Sequence, residues 1–294
     1  MIATTGFFDG VHLGHRLVIE RLVSIARERG DESLVVTFWP HPRAVLQNGA
    51  RDLRLLTALE EKKTMLLDLG VDSVVTVPFT RDFAALTAEQ FLRDKLQAQY
   101  GVTTLLMGYD NRLGSDRLTV AQLFPIAESM GMELVEVEPF GGRETDQLHI
   151  SSTSIRKVLE KGEVERAAEM LGYGYSLTGV VVAGNRLGRT IGFPTANLKL
   201  YEPLKLVPGR GVYLVDVEVL GQRWRGMTNI GLRPTVGGTY TTIETHILDF
   251  DEDIYGLPLT VTFLRRLRDE IHFASLEELR SRLEKDREIC RLIK

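Results

Sequence analysis

His12 and His15 lie three residues apart with Gly14 between them, in a turn that joins an apolar run to a helical pattern. Residues 2–5 are of strand type, Gly6, Asp9, Gly10 and Gly14 are turn formers, and Val18, Leu22 and Ile25 recur at i, i+4 and i+7. A helix starting at the end of a strand offers unpaired N–H groups and the positive end of its dipole, which favours a phosphate. Both imidazoles can converge on one anion, and the glycine lets it approach. The same residues also suit a plain tight connection or a zinc pair, although no third metal ligand stands nearby and the only cysteine is Cys290. Neither a dinucleotide fingerprint nor a Walker loop can be written onto the segment.

Further along, GNRLGRTIGFPTANL (184–198) sets Gly184, Gly188 and Gly192 at four-residue spacing before Pro194, Thr195 and Asn197. This is either a connecting loop or a nucleotide cradle. A hydroxyl and an amide oxygen, as on Thr195 and Asn197, are hard ligands that magnesium accepts. Glu244, in TTIETHILDF, is either a solvated strand residue or a base for an attacking hydroxyl, since Ile243, Thr245 and Ile247 point one way and Glu244 and His246 the other. In ISSTSIRKVLEKG (150–162), Ser152 and Thr153 are cap-type residues, and Arg156, one turn in, can fork two phosphate oxygens beside the helix dipole. The polar loop GYDNRLGSDR (108–117) carries Asp110.

The elements that position these residues fall into two textures. Apolar runs at 33–40, 72–79, 103–108 and 133–139 join the first strand, with helical patterns between them at 58–69, 88–100 and 118–130, where Pro125 kinks the last helix or delays its start. Alternating strands and helices predict an open parallel α/β sheet, with ligands beyond the carboxyl ends of its strands. After a short helix at 163–171 and the break GYGYS, alternating residues such as Val212, Leu214, Val217 and Val219 predict an antiparallel sheet or barrel. A hairpin is expected at Gly221-Gln222, and a helix over 275–293 with a Ser275/Glu278 capping box closes the chain. The boundary is expected near Gly172, giving domains 1–172 and 173–294.

GFFDGVHLGH resembles the HxGH signature of nucleotidyltransferases in the extended form of bacterial FAD synthetases, which combine riboflavin kinase and FMN adenylyltransferase. TFWPHPR, the SSTxIR string, G-x-x-x-G-R-x-x-GFPTAN, TNIGLRPTVGG and E-x-H followed by D-x-Y-G at 253–256 resemble further motifs of that family, in family order and across essentially the full chain. The resemblance implies an α/β fold in two parts: an N-terminal Rossmann-like nucleotidyltransferase domain and a C-terminal β-barrel kinase domain. It implies ATP and phosphate binding by Gly6, Phe7, Asp9, Gly14, Asp110, Ser152, Thr153, Arg156, Gly184, Gly188, Arg189, Gly192 and Pro194. It also implies Mg²⁺ on Thr195 and Asn197, catalysis by His12, His15 and Glu244, and riboflavin, FMN, FAD and ATP as ligands. Departures fall at Asn111 and Leu113, where the family usually carries aromatic residues. They keep open a monofunctional kinase with a degenerate adenylyltransferase. A flavin or nucleotide sensor without turnover is the other rival, though a sensor needs no catalytic base.

Composition bounds the rest. The 294 residues, 44% hydrophobic and 26% charged, are those of a globular protein of two ordinary domains. A net charge of −4 gives no long-range pull on nucleic acid. No apolar run reaches the ~20 residues that span a bilayer, and no signal-peptide pattern precedes the first strand, so small-molecule substrates, no membrane and a cytoplasmic location are expected. The oligomeric state is left open.

Overall fold

The computed structural model describes residues 1–46, 52–138, 150–184, 187–235 and 238–293; Pro139, Asn185, Arg186, Val236 and Gly237 of the strings quoted above lie outside the described residues. The chain forms two compact units, Met1–Ser152 and Thr153–Lys294.

In the first unit the strands are β1 (Ile2–Thr5), β2 (Ser33–Trp39), β3 (Ser73–Pro78), β4 (Thr104–Gly108), a short ribbon of β5 (Arg112–Leu113) with β6 (Leu118–Thr119), and β7 (Glu133–Val137). The main sheet is entirely parallel in the order β3-β2-β1-β4-β7. Its sequence order therefore reverses at β1. The crevice beyond the carboxyl ends of β1 and β4 is where open sheets of this kind take ligands. Both faces of the sheet are covered, which is why its strands are apolar runs and not alternations. On one face the helix Leu13–Arg29 buries Ile19, Leu22, Val23, Ile25 and Ala26 with Ile2, Val35 and Leu106. The other face gathers Leu92, Leu96, Leu105, Met107 and Leu123.

Two details differ from expectation. The helical stretch from Ala88 to Tyr100 is continuous, but Phe91–Gln97 is wound as a π-helix. Leu118 and Thr119 belong to the ribbon, and the helix Val120–Ser129 runs through Pro125, which neither delays nor ends it.

The second unit carries β8 (Ser176–Val182), β9 (Ala196–Leu200), β10 (Gly211–Val219), β11 (Gln222–Thr235), β12 (Gly238–Ile247) and β13 (Pro258–Arg268). They close into an antiparallel barrel in the order β10-β11-β12-β9-β8-β13. The β10–β11 turn is Leu220-Gly221, not Gly221-Gln222, because Gln222 already pairs with Val219. Both turn residues have positive φ, 54° and 73°, as the strand twist requires of a two-residue hairpin. The last helix, Leu276–Leu292, is capped by Ser275, whose side chain accepts from the Glu278 N–H. The reciprocal half of the expected capping box is absent, since the Glu278 carboxylate accepts from the Ala274 N–H. Asp286, fully buried, pairs with Arg268 at 2.7 Å and so fixes this helix to β13.

The helices Ser152–Glu160 and Val164–Leu171 precede the barrel. Gly209 donates its N–H to Leu159 O, and Arg266 donates to Lys161 O. Those bonds tie residues 153–172 to the barrel, and the chain accordingly divides after Ser152.

Candidate functional site

The turn after β1 is held open by backbone that few side chains accept. Phe8 and Val11 have φ of 50° and 35°, and Gly10 has φ 84°. What holds the turn is Asp9. Its Oδ1 accepts from the N–H groups of Leu56 and Thr57 at 2.9 and 3.1 Å, while Gly10 N–H reaches Thr57 Oγ1. Ser152 Oγ donates to Asp9 O at 2.9 Å, and Ser152 is the first residue of the helix Ser152–Glu160. Asp9 and Ser152 thus act at least as builders of the loop. Thr153 and Arg156 follow on the first turns of that helix.

His12 is the N-cap of Leu13–Arg29, and its Nδ1 accepts from His15 N–H. The acceptor nitrogen carries no proton, so the neutral ring bears its hydrogen on Nε2. The His15 ring stacks on it, and a Cβ on Gly14 would stand 3.3 Å from the His12 ring. Burial pushes His12 down to about 4. Burial, and then the charges of His12 and Lys62, hold His15 well below the ordinary histidine range. Both rings are therefore neutral near pH 7, and toward an anion they could act as N–H donors and not as cations.

Lys62 is the residue that the sequence reading missed. It is 1% exposed, donates to Phe7 O at 2.8 Å and lies over the Phe7 ring. Desolvation brings it down to about 8. A signal existed: Lys62 stands four residues before Leu66 on the buried stripe of the helix Leu59–Asp68. The Phe7 ring also packs on His41, which the TFWPHPR string places after β2. A Cβ on Gly6 would stand 3.1 Å from the Phe8 ring, and Asp110 is exposed in the turn after β4.

In the second unit, Thr195 lines two cavities. One, of about 580 Å³, is bordered by Arg189, Pro194, Thr195, Thr245 and the 250–255 segment. The other, of about 270 Å³, is lined by apolar residues such as Ile191, Phe193, Met227 and Leu283, and by Asn229, Arg233, Glu244 and His246. Glu244 Oε2 faces Thr195 Oγ1 at 3.5 Å, and its Oε1 accepts from Arg233 at 3.0 Å. Asn197 is Glu244's register partner across β9 and β12. Arg233 was not anticipated as the partner of this carboxylate, because the two lie on neighbouring strands and no local spacing links them.

The glycines make this corner possible. A Cβ on Gly184 would collide with the Asn197 amide, and one on Gly188 with Phe193 O. Gly192 has φ 82° and turns the chain toward Phe193. His246 Nδ1 bonds Pro194 O at 2.8 Å, holding the 193–195 segment against β12.

A family model described as FAD synthetase matches residues 1–154, and one described as riboflavin kinase matches residues 171–294. The chain is 39% identical over 292 residues to the bifunctional riboflavin kinase/FMN adenylyltransferase of Escherichia coli K12, covering 97% of this chain and 90% of that one. The chain belongs to the bifunctional riboflavin kinase/FMN adenylyltransferase family. The Listeria monocytogenes member is 37% identical, with 99% of this chain and 91% of that one covered. A solved structure from Streptococcus pneumoniae, described as a macrolide-efflux protein, superposes with TM-score 0.90 at 34% identity, covering 99% of this chain and 93% of that one.

Riboflavin kinase/FMN adenylyltransferase family membership gives the two constellations separate matched regions, one in 1–154 and one in 171–294. Among the described residues, no helix is long and apolar enough to cross a membrane, and no group of three or more histidine, cysteine or acidic residues forms a metal site. Cys290 is buried and its thiol is pushed up to about 11, which leaves no reactive thiolate there.

Proposed function

We propose that the chain is a cytoplasmic bifunctional enzyme that phosphorylates riboflavin to FMN with ATP in its barrel and adenylylates FMN to FAD in its N-terminal unit. The observation that carries the kinase half is the position of Thr195 between the two cavities, 3.5 Å from Glu244. ATP would lie in the larger, more polar cavity, with Arg189 at its edge, and the flavin ring in the apolar one. Their reacting ends then meet at Thr195.

Thr195 and Asn197 are the residues that would hold magnesium. The fit rests on their donor set, a hydroxyl and an amide oxygen, and on the cradle beside Asn197 that a side chain at Gly184 would fill. When bound, the ion would neutralise charge on the ATP phosphates. Glu244 takes the proton from the ribityl primary hydroxyl as that oxygen bonds to the γ-phosphorus and the bond to ADP breaks. Arg233 holds one carboxylate oxygen, which leaves the other aimed at the reaction point.

In the N-terminal unit an FMN phosphate oxygen attacks the α-phosphorus of ATP and pyrophosphate leaves. That nucleophile is already an anion, so no base is required. His12 and His15, neutral and preorganised at a helix start, donate hydrogen bonds to the transferring and leaving phosphates, assisted by Gly14. Incubation with riboflavin, ATP and magnesium, followed by chromatographic separation, tests the whole reading: FMN and then FAD are expected. Accumulation of FMN alone would point to a degenerate adenylyltransferase, and tight binding without product to a sensor.

A further inference from the structure

Two carboxylates face the cavity of about 270 Å³, and only one is engaged. Glu244 is held by Arg233. Glu270, two residues past β13, is half-buried in the same wall, and its carboxylate has no hydrogen-bond or ion-pair partner among the described residues. β11 is shaped to admit it. A Cβ on Gly231 would collide with Glu270 Oε1 and stand 3.2 Å from Asn229 Nδ2, so carboxylate and amide converge on one patch of the wall. Asn229 is in turn the register partner of Glu244. The patch therefore adjoins the point at which an attacking hydroxyl must end.

The apolar wall explains the seat of a flat ring, but not an unpaired carboxylate, whose desolvation on ligand binding is costly unless the ligand supplies donors. Resting on the kinase reading above, we propose that Glu270, with Asn229, reads the secondary hydroxyls of the substrate's polyol chain and sets the kinase's specificity for it. A carboxylate can accept from two neighbouring hydroxyls while the amide serves a third. The chain is then held extended, with its terminal oxygen at Glu244. The ring's imide N–H is the other donor a flavin offers, but it lies at the far edge of the ring, whereas Asn229 stands directly across from Glu244.

The test compares riboflavin with an ω-hydroxypentyl flavin, which keeps the ring and the terminal hydroxyl and lacks the secondary ones. A site built to bond a hydroxyl strongly rejects the analogue without it, so the unmodified full-length enzyme is expected to lose about 100-fold in kcat/KM on the analogue. Glu270→Ala is expected to lose about 10-fold to 100-fold on riboflavin, mainly through KM, and to discriminate between the two substrates at least about tenfold less. Glu270→Met, which keeps length but has no acceptor, is expected to behave likewise and guards against an effect of the cavity left by alanine. Undiminished discrimination in both variants overturns the proposal. So does a pattern in which N3-methyl riboflavin, and not the hydroxypentyl flavin, is the substrate whose rejection depends on Glu270. No phosphorylation of riboflavin by the unmodified enzyme would instead overturn the kinase reading itself.

Discussion

His12 and His15 stack face to face, with ring centroids 3.6 Å apart and planes inclined by 17°. Two imidazolium ions cannot share that arrangement, and burial keeps both rings neutral. A neutral pair serves an anion by hydrogen-bond donation.

The pH dependence follows with a definite sign. An unfolded histidine titrates near 6.5, and folded His12 at about 4. Between those values the unfolded chain binds a proton that the folded chain refuses, so this contribution to stability is complete above about 6.5 and is lost as pH falls toward about 4. Urea midpoints followed by Trp39 fluorescence in a Trp224→Phe background should fall on acidification through that window. His12→Ala should lower FAD formation from FMN by about 10² to 10³, the usual loss for one preorganised donor. Unchanged FMN turnover would remove HLGH from the catalytic machinery.

Gly184→Ala tests the cradle of Asn197. The added methyl must displace the amide, which shifts the proposed magnesium ligand without touching it chemically. The magnesium concentration for half-maximal riboflavin phosphorylation should rise by about 10-fold to 100-fold, as when a supporting neighbour of a metal ligand is lost. An unchanged magnesium titration would separate Asn197 from the metal.

Two fragments test where the chain divides. Residues 173–294 hold the whole barrel, with Tyr175, Tyr213 and Phe263 buried, and are expected to fold. Residues 153–294 also keep Val164, Ala167, Met170 and Leu171, an apolar face that is buried in the full chain. The longer fragment should melt higher by at least about 5 °C, because each kcal/mol shifts the Tm of a domain this size by about 4 °C and the buried face is worth more than one. Equal melting temperatures would show that these helices add nothing to the barrel.

Much of this was legible because its signals are local. The apolar runs of β1 to β4 report burial on both faces, and the alternation in β10 reports burial on one. HLGH and GFPTAN stand out by their resemblance to family motifs, since their residue types and spacing alone also suit a plain turn. What the sequence hid depends on contacts between distant residues. Asp9 looks like a turn former, but its partners Leu56 and Thr57 lie beyond two helices and a strand. Lys62 looks like a surface lysine until its stripe is counted. Closure of the barrel through β10 and β13, and the meeting of Arg233, Asn229 and Glu270 around Glu244, are set by strand order, which no periodicity encodes.

Two chemistries in one chain, each proposed to rest on its own residues, are separated most directly by Glu244→Gln. The substitution keeps size and the contact with Arg233's donor but removes proton acceptance, which typically costs roughly 10² to 10⁴ in rate. The purified variant is assayed with riboflavin and, separately, with FMN, after circular dichroism has shown the barrel to be folded. The predicted result is loss of FMN formation of that order with FAD formation from FMN retained. Normal phosphorylation of riboflavin, or equal loss of both activities in a folded protein, would contradict it.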